Sequence, residues 1–296
     1  MNPQSFLHCV LLSPMNQPLT VRAGRTAAMV MLLAGEKMAV TPAGKRLIES
    51  LDLTSGEELA EMARRDSPAS THRIHLRKTL IRNWMKEIQL SGSPITRNII
   101  IPGAGLAPLA LDWCSQHEDA HATELDYEHV EEKRKLIAQC ADASVANRIR
   151  CVECDLRNIA ITERELRASG WDPHAPALWI IEGLSYYISH QELVTLIRFA
   201  LAGDHRNRVI MEFSGPRDTL TEDARAATEK YHQFLGKLLG GNDLAITNID
   251  AVLADSGAEL QRLLHPAQIE ELLGMDHFFH SPHDSSMRIA LLAPRT

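Results

Sequence analysis

Two glycines and three acids carry the chemistry that this chain advertises. Gly103 and Gly105 close the segment Asn98-Ile-Ile-Ile-Pro-Gly-Ala-Gly105, after which an apolar run resumes. A strand that ends on glycine just before a helix can turn sharply and let a ligand approach the backbone without Cβ interference. The helix behind it presents free N–H groups. The same residues also make a plain tight turn, so the pair needs support from elsewhere. Asp126 supplies it, 21 residues after Gly105 and at the end of Glu124-Leu-Asp126. That is the offset at which an acid bonds a ribose diol in nucleotide-binding βαβ units. Asp126 could equally cap a helix over Tyr127–Ala138, and one carboxylate can do both. Pro108 stands where a dinucleotide fingerprint wants a third small residue, which counts against a pyrophosphate ligand. On these residues a nicotinamide-dependent oxidoreductase and a methyl-transfer enzyme both stay open.

Two further acids narrow the choice. Cys154-Asp155-Leu156-Arg157 ends one apolar segment, and Glu182-Gly-Leu-Ser-Tyr-Tyr-Ile188 ends the next. Asp126, Asp155 and Glu182 around one glycine turn suit a ligand rich in hydroxyls, amino groups and positive charge. S-adenosyl-L-methionine is such a ligand, with its ribose diol, adenine amine, ammonium and sulfonium.

These groups converge only if the elements beneath them are parallel strands. The segments Asn98–Ile101, Ala120–Leu125, Arg148–Glu153, Ala177–Ile181 and Arg208–Phe213 read as strands, with helices at Leu106–Ser115, Val130–Ala138 and Gln191–Ala202. About two helices follow, to residue 240 or so. The tail offers strands Ala258–Leu264 and Met287–Ala293 around a helix at Pro266–Leu273. Strand–helix alternation of this kind predicts an α/β fold with a mostly parallel, doubly wound sheet. Residues 19–90 read as helices instead. Ser55 and Glu58 form a capping-box signature for a helix reaching Arg65, and a longer helix spans Thr71–Leu90 before the break at Ser91-Gly-Ser-Pro94. The expected division is a helical cap, 1–94, on an α/β core, 95–296. Arg73, Arg77, Lys78 and Arg82 cluster on the long helix and read first as a solvated face, with an anion or cofactor contact as the alternative.

The quoted segments GAGL, ELDYEHVEEKRKLI, CDLRN and IEGLSYYIS resemble the leucine carboxyl methyltransferase family, including its bacterial small-molecule O-methyltransferase branch. The resemblance is good over residues 70–215 and looser in the tail; Glu182-Gly-Leu-Ser-Tyr-Tyr-Ile is its most specific element. It implies a class I (Rossmann-like) methyltransferase fold: a seven-stranded sheet whose last strand, Met287–Ala293, is antiparallel, with an N-terminal helical lid. It also implies S-adenosyl-L-methionine as cofactor. The implied contacts are Gly103 and Gly105 at the turn, Asp126 on the ribose, Asp155 and Leu156 beside the adenine, and Glu182 after the fourth strand. Arg77 would grip the cofactor carboxylate in a two-pronged way, with Arg73 as second choice. The chain departs from the family in carrying Ala107-Pro108-Leu109 where relatives have Asp-Thr-Arg. The loss of three polar groups points to an acceptor other than a protein C-terminus.

Methyl transfer from a sulfonium is an in-line displacement, so alignment and exclusion of water matter most. A carboxylate acceptor needs no base; a hydroxyl or amine needs one. Tyr186 and Tyr187, which follow the fourth strand, and Arg217, which could hold an anionic acceptor, are the candidates for the acceptor side. The back half carries His190, His205, His232, His265, His277, His280 and His283, none of which the pattern singles out as a base. The expected reaction is O-methylation of a carboxylate or hydroxyl on a small metabolite. N-methylation, nicotinamide chemistry and a non-catalytic relative that binds a partner through its cap are the alternatives.

The bulk properties agree with a small-molecule partner. The chain has 296 residues, 45% apolar and 23% charged, and a net charge of −7, which disfavours nucleic acid because phosphate binding wants a basic face. Five cysteines, an odd count in wide spacing, do not suggest a disulfide framework. Cys151 and Cys154 match C-x-x-C but lack the second pair or histidines that zinc requires, and they end a strand rather than open a helix; no metal is expected. No apolar run is long enough to span a membrane. Leu7–Leu12 is apolar but lacks a basic leader and a cleavage site, so the cytoplasm is the default.

Overall fold

A computed structural model of the chain describes residues 19–67, 69–238 and 244–295; the apolar stretch Leu7–Leu12 lies outside them. The N-terminal part comprises β1 (Val21–Arg22), α1 (Arg25–Ala34), α2 (Pro42–Glu49), β2 (Leu51–Asp52), α3 (Glu57–Asp66) and α4 (Ala69–Leu90). It is not wholly helical, because β1 and β2 pair in parallel. Two residues each leave no alternation to read. Helix α2 starts where Thr41 Oγ1 accepts from Gly44 N at 3.0 Å, with Pro42 in the first turn. The expected capping box at α3 does not form. Ser55 instead donates to Ala23 O at 2.7 Å, and Gly56 is the N-cap. Gly56 packs so closely on α1 that a Cβ there would lie 2.3 Å from Met29 N. A tertiary contact has displaced the local cap.

The core runs β3 (Asn98–Pro102), α5 (Leu109–Gln116), β4 (His121–Asp126), α6 (Val130–Cys140), α7 (Ala143–Ala146), β5 (Ile149–Glu153), α8 (Ile159–Ala168), β6 (Leu178–Ile181) and α9 (His190–Leu201). It continues through β7 (Arg208–Ser214), α10 (Glu222–Leu238), α11 (Ile249–Ser256), β8 (Ala258–Leu264), α12 (Pro266–Leu273) and β9 (Met287–Pro294). Seven strands form one sheet in the order β5-β4-β3-β6-β7-β9-β8, with β9 antiparallel to both its neighbours. The class I methyltransferase arrangement is therefore present, with the final strand antiparallel as expected.

Strand β3 is apolar throughout because both faces are covered. Ile99 and Ile101 join one buried cluster, which includes Leu80 and Trp84 of α4, and Ile100 joins the other, with Leu193 and Ile197 of α9. The first cluster is continuous from the cap into the sheet, so the two parts share a core.

Several boundaries differ from expectation, each for a local reason. The helix after the glycine turn begins at Leu109 rather than Leu106, since Pro108 disfavours helical backbone at Ala107. Helix α6 begins at Val130 behind His129, whose φ is 57°, so Asp126 is not its cap. One helix, α10, occupies the described part of the segment read as two. Helices α8 and α11 went unread; each is short and is opened by an asparagine, Asn158 accepting from Ile161 N at 3.3 Å and Asn248 from Ala251 N at 3.2 Å.

Candidate active site

The chain leaves β3 for β4 and β5 on one side, then returns to place β6 and β7 on the other. Loops after β3 and β6 must therefore part, and a crevice opens at their carboxyl ends. A cavity of about 580 Å³ occupies that place. Gly103, Gly105, Asp126, Asp155, Leu156 and Glu182 all line it, as do Arg77, Tyr186 and Tyr187.

The glycine turn is held by the neighbouring strand. Gly103 N donates to Leu125 O at 2.8 Å, and Gly105 N donates to Asp126 Oδ2 at 2.7 Å. Both glycines have positive φ, 66° and 49°. A Cβ at Gly105 would meet nothing within 4 Å, so the turn leaves open space beside its backbone. Asp126 Oδ1 accepts from Tyr127 N at 2.8 Å and Glu128 N at 3.2 Å. A carboxylate has about four acceptor sites; the backbone takes three, and one on Oδ2 remains for a ligand.

Asp155 is half exposed and gripped by Arg157, through Nε at 2.8 Å and Nη2 at 2.7 Å. These bonds hold its carboxyl below the ordinary range. Leu156 beside it is buried. Cys151 and Cys154 are buried thiols pushed up to about 12 and about 11, chiefly by burial. Among the described residues no His, Cys, Asp and Glu group is placed to hold a metal ion.

The basic cluster on α4 is not a solvated face. Arg77 and Lys78 are buried, and Arg82 Nη2 contacts Asp112 Oδ2 at 3.1 Å. The reason is spacing: Arg73 and Arg77, like Lys78 and Arg82, are four apart on a helix whose inward side faces acids. Glu182 Oε1 lies 2.8 Å from Arg77 Nε and 2.7 Å from Lys78 Nζ. Glu212, in the middle of β7, lies 3.5 Å from Arg77 Nη1 and accepts from Gly183 N at 3.1 Å. Burial alone would raise the Glu182 carboxyl, but Lys78 and Arg77 overcome it and bring it down to about 2. Burial likewise opposes the charge on Arg77, and Glu212 and Glu182 hold its pKa above the ordinary value. The Arg77–Glu182 contact is an ion pair without hydrogen-bond alignment. Arg77 Nε and Ser214 Oγ thus remain buried polar atoms without an aligned hydrogen-bond partner, whereas Glu182 Oε1 keeps Lys78 Nζ at 2.7 Å.

On the acceptor side, the Tyr186 hydroxyl donates to Glu212 Oε1. Burial and that carboxylate raise its pKa well above the ordinary value, so it is a neutral donor. Tyr187 is 47% exposed and lies at the cavity wall. Arg217 stands off the wall and backs His232, whose Nδ1 accepts from Arg217 Nη2 at 2.6 Å. Glu212 and Tyr231 line the cavity without having been read from the sequence, and of the back-half histidines His232 lines it. Glu212 had a signal, a lone acid inside Val-Ile-Met-Glu-Phe; Tyr231 and His232 had none, because α10 reaches the site only through the fold.

Buried cations, carboxylates and open backbone thus surround one glycine turn. Comparison with known proteins bears on the family and the fold. The sequence model of a family described as leucine carboxyl methyltransferase matches residues 24–200. A Mycolicibacterium paratuberculosis protein, provisionally named an S-adenosyl-L-methionine-dependent methyltransferase, is 34% identical over 153 residues, 46% of this chain and 46% of that protein. The match thus spans about half of that relative's length. Among solved structures, a methyltransferase-titled protein from Thermobifida fusca is similar with a TM-score of 0.64 at 15% identity, covering 89% of this chain and 97% of that one. A DUF574 family protein from Streptomyces avermitilis is similar with a TM-score of 0.61 at 14% identity, covering 92% and 98%. At such identities these structures speak for the fold.

Proposed function

This chain belongs to the leucine carboxyl methyltransferase family, and on that premise we propose that it transfers a methyl group from S-adenosyl-L-methionine to an oxygen of a small acceptor. The observation that carries the reading is one cavity lined by the glycine turn, Asp126, Asp155 and the buried Arg77–Glu182–Lys78 group. A carboxylate and a guanidinium side by side on one cavity wall suit an amino acid's ammonium and carboxylate, each of which meets a group of opposite charge there.

When bound, the cofactor supplies an electrophilic methyl on a sulfonium. The chain's own residues do the rest. Gly103 and Gly105 clear the backbone for close approach. Asp126 offers its remaining site on Oδ2 to a ribose hydroxyl. Leu156 gives an apolar surface for the adenine, and Asp155, once it shares its bonds with Arg157, an acceptor for the amine. Glu182 receives the ammonium and Arg77 the carboxylate. The described N-terminal elements, β1 to α4, act as the lid that excludes water, and Tyr187 at the wall is placed to position the acceptor. The neutral Tyr186 hydroxyl orients Glu212 and is no base at neutral pH, so an acceptor that is already anionic fits best.

Calorimetry with S-adenosyl-L-methionine and with NAD tests this reading, followed by a labelled-methyl assay on extracts with mass spectrometry of the product. Binding of NAD and not of S-adenosyl-L-methionine would overturn it.

A further inference from the structure

We infer that Arg73 is the receptor for a carboxylate on the methyl acceptor, which makes the substrate a small carboxylic acid with an apolar body. This inference rests on the methyltransferase reading above.

Helix α4 turns four cations inward or against the core, and three are matched by acids. Arg77 has Glu182 and Glu212, Lys78 has Glu182, and Arg82 has Asp112. Arg73 lines the same cavity, yet its Nη2 donates only to the hydroxyls of Ser67 at 3.2 Å and Ser70 at 3.0 Å. Among the described residues no carboxylate is within ion-pair range of it. Burial lowers its pKa, the mark of a cation short of a counter-charge. Arg73 is partly buried, and a partly buried charge without a counter-charge carries a desolvation cost that falls when an anion arrives.

The charge count on the α4 and β7 side of the cavity points the same way. There Arg73, Arg77 and Lys78 stand against Glu182 and Glu212, an excess of one positive charge, while Glu124, Asp126, Glu128 and Asp155 against Arg157 make the other side negative. A zwitterionic methionine moiety adds none, and its sulfonium adds one more. An anionic acceptor is what moves the α4 and β7 side toward neutrality. The acids at the other edge do not serve: Asp126 and Asp155 end β4 or follow β5, and strand spacing of about 4.8 Å puts β4 three strands, or about 14 Å, from β7. Arg73 belongs to the β7 side, since Glu212, Tyr186 and Tyr231 are the groups that influence it.

The surroundings fit a carboxylate held at Arg73. Ser214 Oγ, at the end of β7, is a buried hydroxyl with no hydrogen-bond partner. Tyr231 is pushed up to about 12, largely by burial, and so stays a donor. Leu235, Leu244 and Met287 complete the wall with apolar surface. Arg77, whose Nε lacks an aligned acceptor, already offers the cofactor carboxylate its partner, which leaves Arg73 for the second anion.

The test is calorimetric titration of the full-length protein, loaded with S-adenosylhomocysteine, using benzoate, octanoate and the corresponding primary amides. We expect at least one acid to bind and its amide to bind at least about tenfold more weakly. In Arg73→Gln the acid weakens at least about tenfold while S-adenosylhomocysteine stays within about threefold, and Arg73→Lys retains part of the acid affinity. Equal binding of acid and amide, no binding of either acid, or an Arg73→Gln that loses S-adenosylhomocysteine and keeps the acid would overturn the inference. Should Arg73→Gln fail to fold, the acid-to-amide ratio on the unaltered protein and on Arg73→Lys still decides. A protein that binds no S-adenosylhomocysteine sinks the methyltransferase reading itself, a different result.

Discussion

The backbone N–H of Gly105 donates to Oδ2 of Asp126 at 2.7 Å, so the acid that ends β4 also sets the shape of the turn that ends β3. One side chain thereby links two strand ends and leaves a single acceptor site for a ligand.

Asp126→Ala removes that link and the ligand site together. Cofactor affinity falls by about 1–3 kcal/mol, the cost of unpaired buried groups, and Tm falls as well because three backbone N–H groups lose their acceptor. Calorimetry and thermal melts measure the two effects. An unchanged affinity would remove Asp126 from the ribose.

Glu182 makes stability depend on acid. Its carboxyl sits at about 2 against an ordinary value of 4.5. A depressed acid stabilises the fold fully above its unfolded value, and the gain disappears as pH falls through the folded one. Urea unfolding between about pH 5 and pH 2 therefore loses about 3 kcal/mol from this group. In Glu182→Gln the pH slope in that window is shallower. Identical slopes in the two proteins would refute the pairing with Lys78 and Arg77.

Tyr186 is a donor and not a base. Tyr186→Phe costs about 1.5–3 kcal/mol of stability, the worth of a hydrogen bond to a charged group. Its kcat/KM profile keeps the original shape up to about pH 9, since no group titrating there is lost. A rise of kcat/KM with pH that is present in the unaltered protein and lost in the variant would make Tyr186 the proton acceptor.

Asp112 anchors the cap. It is buried, accepts from Val40 N and Thr41 N at 3.0 Å and from Thr41 Oγ1 at 2.7 Å, and pairs with Arg82. Asp112→Ala leaves Arg82 without its acid and costs about 3–5 kcal/mol, and limited proteolysis then cuts first within residues 35–50. Gly44→Ala should act on the same contact, because its Cβ would lie 2.2 Å from Asp112 Oδ1. A Gly44→Ala protein with native Tm would show that Asp112 is free to move.

Much of the architecture was legible along the chain. The strands β3 and β6 were readable because parallel strands covered on both faces are short apolar runs, and β5, at the sheet edge, was readable from its alternation. The pairs β1 and β2, two residues each, were not, since no period fits in so short a span. The capping-box reading at Ser55 failed because the close packing of Gly56 on α1 outweighed a local bond.

The sequence by itself determined which residues stand at strand ends: Gly103, Gly105, Asp126, Asp155 and Glu182, each a matter of local order and type. Only the tertiary structure decided what those residues face. Arg77 and Lys78 stand about a hundred positions from Glu182 and meet it because the cap helix lies over the crevice; Glu212 and Tyr231 arrive from β7 and α10. Charge pairing across such distances depends on the packing of helices against the sheet, which no local pattern encodes, and that is why α4 looked solvated until its acids were seen.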